Sequence, residues 1–272
     1  MSTPTIAFIG AGNMANSIVG GLVEAGHPAD HIRAADPYPE SLARLQQVAP
    51  VTACDSNNAA VAGADVIILA VKPQVMAEVC TGIAASLEAN ALVISIAAGI
   101  TINSLQSWLG ETTAIVRCMP NTPALLGCGA SGLFANEQVS EAQRAHAGQV
   151  LAAVGLVSWV PREKDLDAVT ALSGSGPAYF FLFMEAMIAA AEAQGLERDT
   201  ATQLAQQTAL GAARMALESD VDLVELRRRV TSPGGTTQAA VESFEAAGLR
   251  QVVSTAMQAA ADRADEMARE MG

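Results

Sequence analysis

Short apolar runs punctuate the first 120 residues, at 5–10, 32–36, 64–71, 91–97 and 114–119. Between most of them lie 10–20 residues with helical spacing, such as 14–25 and 41–48. Strands that are apolar throughout must be buried on both faces, so the alternation predicts a parallel sheet covered by helices on each side. Two weaker strand candidates, 130–134 and 156–160, flank a helix expected at about 139–154, and the sheet half ends near Pro161.

Beyond Asp165 the strand-like runs vanish, and Ala, Gln, Glu, Leu and Met dominate. Helices are expected at roughly 177–194, 199–218, 223–230, 237–247 and 249–271. The short charged segment Pro161-Arg162-Glu163-Lys164-Asp165 separates the halves. This predicts an N-terminal Rossmann dinucleotide-binding domain over 1–162 and an all-helical domain over 163–272, docked rather than loosely tethered. The helices around 179–193 and 204–217 are apolar over most of their circumference, which demands burial on more than one side. A helical domain of this size can hardly bury them alone, so a homodimer built through the second half is expected.

Composition narrows the function. A net charge of -13 leaves nothing to neutralise phosphates, which argues against nonspecific nucleic-acid binding. Arg227 to Arg229 read as a solvated helix face. The four cysteines (Cys54, Cys80, Cys118, Cys128) have no CxxC spacing and no nearby histidines, so neither a metal site nor a disulfide framework is expected. No apolar run reaches 18 residues uninterrupted and no basic leader opens the chain; a cytoplasmic protein acting on a small molecule is expected.

Ile6-Ala7-Phe8-Ile9 reads as a buried strand and runs directly into Gly10-Ala11-Gly12-Asn13-Met14-Ala15. This is the GxGxxA dinucleotide fingerprint: Gly10 makes the tight turn, Gly12 admits the pyrophosphate to the backbone, and Ala15 lets helix pack on strand. Asp36 ends the second strand, where an acid would hydrogen-bond a ribose 2′-hydroxyl and repel a 2′-phosphate. Alternatively, Asp36 caps the turn ahead of Pro37. Ala70-Val71-Lys72-Pro73 closes the next strand at the carboxyl edge, with Lys72 a catalytic acid, a cofactor contact or an ordinary loop lysine; the sequence favours the latter two, because no carboxylate or histidine partner stands beside it. Ala97-Ala98-Gly99 and Pro120-Asn121-Thr122-Pro123 follow at the same edge, leaving room for a flat nicotinamide ring.

Ser232-Pro233-Gly234-Gly235-Thr236-Thr237 interrupts the helical half. Pro233 and the glycines forbid helix continuation, and Thr236 or Thr237 suits the N-cap of the next helix. Bare N–H groups at a helix N-terminus make a site for a small anion, although a capped turn between helices has the same pattern. Ser173-Gly174-Ser175-Gly176, read alone, is a helix cap with glycines for close packing.

Taken in order, Gly12-Asn13-Met14-Ala15, Ala70-Val71-Lys72-Pro73-Gln74, Ala97-Ala98-Gly99-Ile100, Met119-Pro120-Asn121-Thr122-Pro123, Leu172-Ser173-Gly174-Ser175-Gly176-Pro177-Ala178-Tyr179 and the Ser232–Thr237 segment resemble the Δ1-pyrroline-5-carboxylate reductase family over nearly the whole chain. The resemblance implies an oxidoreductase that moves a hydride from NADPH or NADH to a cyclic imine, making L-proline in the last step of proline biosynthesis. It implies a helical domain interlocked with that of a second subunit, in dimers that can assemble further. By position, Ser232 and the N–H groups of Gly234, Gly235 and Thr236 would hold the substrate carboxylate. Thr237 would set its hydroxyl near the ring nitrogen, orienting the substrate or relaying a proton through water, and Ser175 would be a further polar contact. The cofactor would lie against Gly10, Gly12, Asn13, Met14, Asp36, Asn57, Ala70, Val71, Lys72, Pro73, Ala97 and Asn121, with no metal. Many NADPH-preferring relatives carry a small hydroxyl residue where this chain has Asp36, which favours an NADH-capable enzyme. A β-hydroxyacid dehydrogenase would need a lysine in a long second-domain helix, and only Lys164 lies beyond the sheet half. A dinucleotide sensor would be expected to lose the carboxylate loop or the glycines, and this chain keeps both.

Overall fold

A computed structural model describes residues 3–271. The chain divides into two compact units: residues up to Ser175 together with those from Ala259 onward, and Gly176–Gln258.

The first unit holds strands β1 (Ile6–Ile9), β2 (Ile32–Ala35), β3 (Thr52–Ala53), β4 (Val66–Leu69), β5 (Leu92–Ser95), β6 (Ala114–Met119), β7 (Gly129–Ala135) and β8 (Gly155–Trp159). They form one sheet in the order β3-β2-β1-β4-β5-β6-β7-β8. Helices α1 (Asn13–Glu24), α2 (Pro39–Val48), α3 (Asn57–Val61), α4 (Met76–Ile83), α5 (Ile102–Leu109), α6 (Glu141–Ala152) and α7 (Asp165–Val169) belong to the same unit. Successive strand residues point to opposite faces. Ile6 and Phe8 of β1 join one buried cluster with Ile18, Leu45 and Ile68. Ala7 and Ile9 join the other with Leu69, Met76 and Val93. All four β1 side chains are fully buried, which explains the uninterrupted apolar run. Each large one contributes about 1.5–3 kcal/mol of hydrophobic stabilisation.

Two details depart from the expected strands and their parallel pairing. β3 spans two residues, too few to leave an apolar run in the sequence. β7 lies antiparallel to β6, whereas β8 returns parallel to β7. Only residues 120–128 connect β6 to β7, and they include the short turn Thr122–Leu126. A parallel crossover needs a dozen residues or more, so the chain doubles back instead.

The second unit contains α8 (Gly176–Ala193), α9 (Arg198–Glu218), α10 (Leu223–Arg229), α11 (Thr236–Ala246) and the beginning of α12 (Leu249–Met271). Gly195, at φ +96°, turns α8 into α9. Leu196 N–H and Gly195 N–H donate to the last carbonyls of α8, closing that helix as glycine C-caps do. Phe183 of α8 and Phe244 of α11 meet with ring centroids 6.0 Å apart. Only Gly176, Ala201 and Ala205 are buried among the described residues of this unit. Phe180, Phe181 and Leu182 are each more than half exposed. The apolar circumference expected of these helices is present and is left uncovered within one chain.

Candidate active site

The sheet order reverses between β1 and β4, and the carboxyl ends of the strands at such a reversal form a ligand crevice. Gly10 sits there at φ +98°, its N–H donating to Ala35 O at 2.8 Å. A Cβ on Gly10 would stand 2.6 Å from Ala70 O, so glycine is required both for the turn and for the contact with β4. Gly12 is the extended N-cap of α1, and a Cβ built on it would meet nothing within 4 Å. Gly12 and Asn13 are exposed, Met14 is half-buried, and no acidic side chain occupies the first turn of α1. An unopposed helix N-terminus beside open space suits a pyrophosphate, so these residues fit a bound dinucleotide.

A cleft of about 390 Å³ continues from Gly10 and is lined by Asp36, Asn57 and Val71, together with Cys54, Asp55 and Glu78. Asp36 accepts from Ala11 N–H through Oδ2 at 2.7 Å and from Tyr38 N–H through Oδ1 at 2.9 Å. It therefore caps the turn at Pro37 and lines the cleft as well. Ser56 caps α3 by accepting from Ala59 N–H at 3.1 Å, which sets Asn57 at the first helical position. Ala70 presents its carbonyl to Gly10. Lys72 is exposed on extended backbone before half-buried Pro73.

Further along the same edge, Ala97 and Ser175 line a partly open cavity of about 180 Å³ with Gly99, Met119, Asp167 and Thr170. Gly99, at φ +76°, lies against Met267 near the end of α12, whose Cβ would be 3.1 Å from a Cβ on the glycine. The cap expected at Ser173–Gly176 is not formed. Residues Thr170–Gly174 make a π-helical turn that leads through Ser175 into α8. Such turns recur at functional sites. The close packing does hold: a Cβ on Gly174 would stand 2.7 Å from Met119 Cε. Asn121 is buried and acts as a strut, donating to Ser173 O at 3.0 Å and accepting from Ala130 N–H at 2.9 Å. Burial pushes the Asp167 carboxyl above its usual range, and the Arg117 guanidinium opposes that shift.

Sequence reasoning missed several members of these sites. Arg117 pairs with Glu163 at 2.6 Å, and the same Glu163 oxygen accepts from Ile102 N–H at 2.7 Å. Glu163 had no mark beyond membership of a charged segment. Asp55 and Glu78 have no motif at all; only the Ser56 cap signal could have located the neighbourhood.

In the second unit, Gly234 takes φ +73° and the chain enters α11. The N-cap is Gly235, not Thr236 or Thr237 as expected, and no side chain caps the helix. Thr236 therefore occupies the first helical position, and Ala239 N–H makes the first intrahelical bond, to Gly235 O. The N–H groups of Thr236, Thr237 and Gln238 are left as the orphan donors of the first turn. Gly235 N–H donates to Ser232 O at 3.0 Å, and Gly234 N–H to Gln238 Oε1 at 2.7 Å. An amide oxygen thus occupies the Gly234 donor.

A switch-point sheet fitted to a dinucleotide, in a chain that also carries a helical unit with an uncapped glycine turn, is the architecture of a dinucleotide-dependent oxidoreductase. Comparison with known proteins agrees. Residues 163–267 match the family described as "Pyrroline-5-carboxylate reductase dimerisation", and residues 5–99 match "NADP oxidoreductase coenzyme F420-dependent". A pyrroline-5-carboxylate reductase of Pseudomonas aeruginosa is 57% identical over 272 residues, 100% of both chains. Among solved structures, the Coxiella burnetii pyrroline-5-carboxylate reductase superposes with TM-score 0.94 at 45% identity, covering 98% of this chain and 99% of that one. The Plasmodium falciparum pyrroline carboxylate reductase, solved with NADP bound, gives 0.86 at 30% identity over the same shares. The chain belongs to the pyrroline-5-carboxylate reductase family. Its activity is the NAD(P)H-dependent reduction of Δ1-pyrroline-5-carboxylate to proline. The dimerisation match makes it a homodimer. No helix among the described residues is long and apolar enough to cross a membrane.

Proposed function

We propose that the Ser232–Thr237 turn is the carboxylate site of this reductase and that Thr237 addresses the substrate's ring nitrogen. The observation that carries the reading is the uncapped N-terminus of α11, with the N–H groups of Thr236, Thr237 and Gln238 undonated behind the Gly234 turn. A substrate carboxylate takes up these donors and displaces the Gln238 amide oxygen from Gly234 N–H. Gly235 and Ser232 hold the turn through their own bond. When bound, the dihydronicotinamide supplies the hydride that adds to the imine carbon. Gly10, Gly12, Asn13 and Met14 seat the pyrophosphate; Asp36 and Asn57 take the ribose; Val71 borders the same cleft, and Ala70 and Pro73 lie close to it in sequence. Ala97, Asn121 and Ser175 shape the nicotinamide end, and Lys72 is at most a peripheral contact. The Thr237 hydroxyl is too weak an acid to protonate the product alone. It orients a substrate that arrives as the iminium, or passes a proton from water.

A second copy of the chain covers the exposed Phe180–Leu182 stretch and the apolar faces of α8 and α9, giving an interlocked dimer that can assemble further. The four cysteines are unpaired, in keeping with a cytoplasmic enzyme.

The test is turnover of NADH and NADPH with Δ1-pyrroline-5-carboxylate and with Δ1-pyrroline, which lacks the carboxylate. Two lost charge-assisted hydrogen bonds at about 1.5–3 kcal/mol each predict a fall in kcat/KM of roughly 100-fold or more. Thr237→Ala should lower turnover while leaving dinucleotide affinity unchanged. Equal rates on both substrates, or full activity in the variant, would remove the turn from the site.

A further inference from the structure

We propose that the adenosine end of the cleft selects NADH over NADPH, with Asp36 as the determinant and Asp55 and Glu78 reinforcing it. This deepens the reductase reading and rests on it. All three carboxylate side chains line the cleft. Among the described residues, no lysine or arginine lines it. The Arg33 guanidinium acts on Cys54, which lines the cleft, but gives its Nη1–H to Ala62 O at 2.6 Å.

Asp36 cannot swing aside to admit a phosphate. Its two oxygens accept from Ala11 N–H at 2.7 Å and Tyr38 N–H at 2.9 Å, one on the fingerprint loop and one beyond Pro37. Rotating the carboxylate would strand both donors. Held there, it still has lone pairs free to accept from a ribose 2′-hydroxyl. A 2′-phosphate dianion has no proton to donate and brings two negative charges against a fixed one. Asp36 thus rewards the hydroxyl and repels the phosphate through the same atoms.

The experiment is a fluorescence titration of the full-length homodimer with NADH and with NADPH, each at low and at physiological salt. Wild type should bind NADH at least about tenfold more tightly than NADPH. The gap should narrow as the Debye length falls from about 30 Å at 0.01 M to about 8 Å at 0.15 M salt. The ratio isolates the 2′-phosphate, since both ligands share every other charge. Asp36→Ser should bring the two affinities to within about threefold or invert them, mainly by strengthening NADPH. Asp36→Asn, which keeps an acceptor for Ala11 N–H, should move the ratio the same way if the serine variant proves unstable. NADPH bound as tightly as NADH by wild type, or a ratio unmoved in a folded variant, overturns the proposal. Failure of both dinucleotides to bind would instead bring down the reductase reading beneath it.

Discussion

Gly10 and Gly12 stand two residues apart in one motif, yet their geometry predicts opposite failures on gaining a methyl group. At Gly10 the backbone is at φ +98° and the new Cβ would lie 2.6 Å from Ala70 O and 2.8 Å from Ala70 C. The left-handed backbone costs about 1–2 kcal/mol for an alanine. The forced separation of β1 from β4 costs about 1–3 kcal/mol more. Gly10→Ala should therefore lose about 2–5 kcal/mol, a large share of the 5–15 kcal/mol that holds a typical domain. At Gly12 the backbone is at φ -73° and ψ -175°, which any residue adopts, and nothing stands within 4 Å. Gly12→Ala should cost no more than about 1 kcal/mol, the difference between the two residues at an N-cap. Its methyl group instead occupies the approach of the pyrophosphate, and dinucleotide affinity should fall at least about tenfold. Urea unfolding at 25 °C and an NADH titration, run on both variants, separate the effects. Equal destabilisation of the two, or wild-type affinity in Gly12→Ala, would refute the division of labour.

Two further outcomes concern titratable groups. Burial pushes the thiols of Cys80 and Cys118 up to about 12, and burial also raises Cys54 while Arg33 opposes it. At pH 8, iodoacetamide should label exposed Cys128 first and Cys54 slowly, with NADH slowing Cys54 further because that thiol lines the cofactor cleft; rapid labelling of Cys118 in the folded protein would contradict its burial. Burial first, and His31 second, lower the His27 pKa from 6.5, with a bond to Pro4 opposing them. The unfolded chain then takes up a proton at His27 before the folded one does, so the contribution is intact above pH 6.5 and is lost as pH falls through the lower folded value. Unfolding free energies at pH 7.5 and 5.5 should show that loss, reduced in His27→Gln; an identical slope in the variant would assign it elsewhere.

Much of this was legible because the relevant signals are local. An apolar run entering Gly10-Ala11-Gly12 specifies strand, turn and helix at once, and the helix expected at 249–271 forms as α12 over Leu249–Met271. What stayed hidden depended on partners distant in sequence. The reversal of β7 follows from the length of its connection, which pattern alone does not weigh. Glu163 is 46 residues from Arg117 and 61 from Ile102, and nothing beside it announces either bond. The cap of α11, expected at Thr236 or Thr237, falls one or two residues earlier at Gly235, because threonine and glycine both suit an N-cap and only the backbone decides between them. Likewise Ser173–Gly176 has the composition of a cap, but the π turn before it carries the helix through.

Asp36 shows why competing interpretations of one residue need not exclude each other. A carboxylate has about four acceptor positions, and the turn uses one on each oxygen. Those bonds remove the side chain's freedom, which is the entropic part of what a binding residue loses on meeting its ligand. On the proposed ribose contact, capping the turn is what would prepare the carboxylate for its ligand. Removing the cap should weaken NADH even where every ribose contact could still be made. By the same logic, Gln238 holds the Gly234 turn in shape and occupies its donor at once. On the proposed carboxylate site, that structural bond would have to be surrendered before the substrate binds, whereas on the proposed ribose contact the bonds at Asp36 would persist. The two proposals thus assign one device opposite consequences: preorganisation at the cofactor end, and exchange at the carboxylate end.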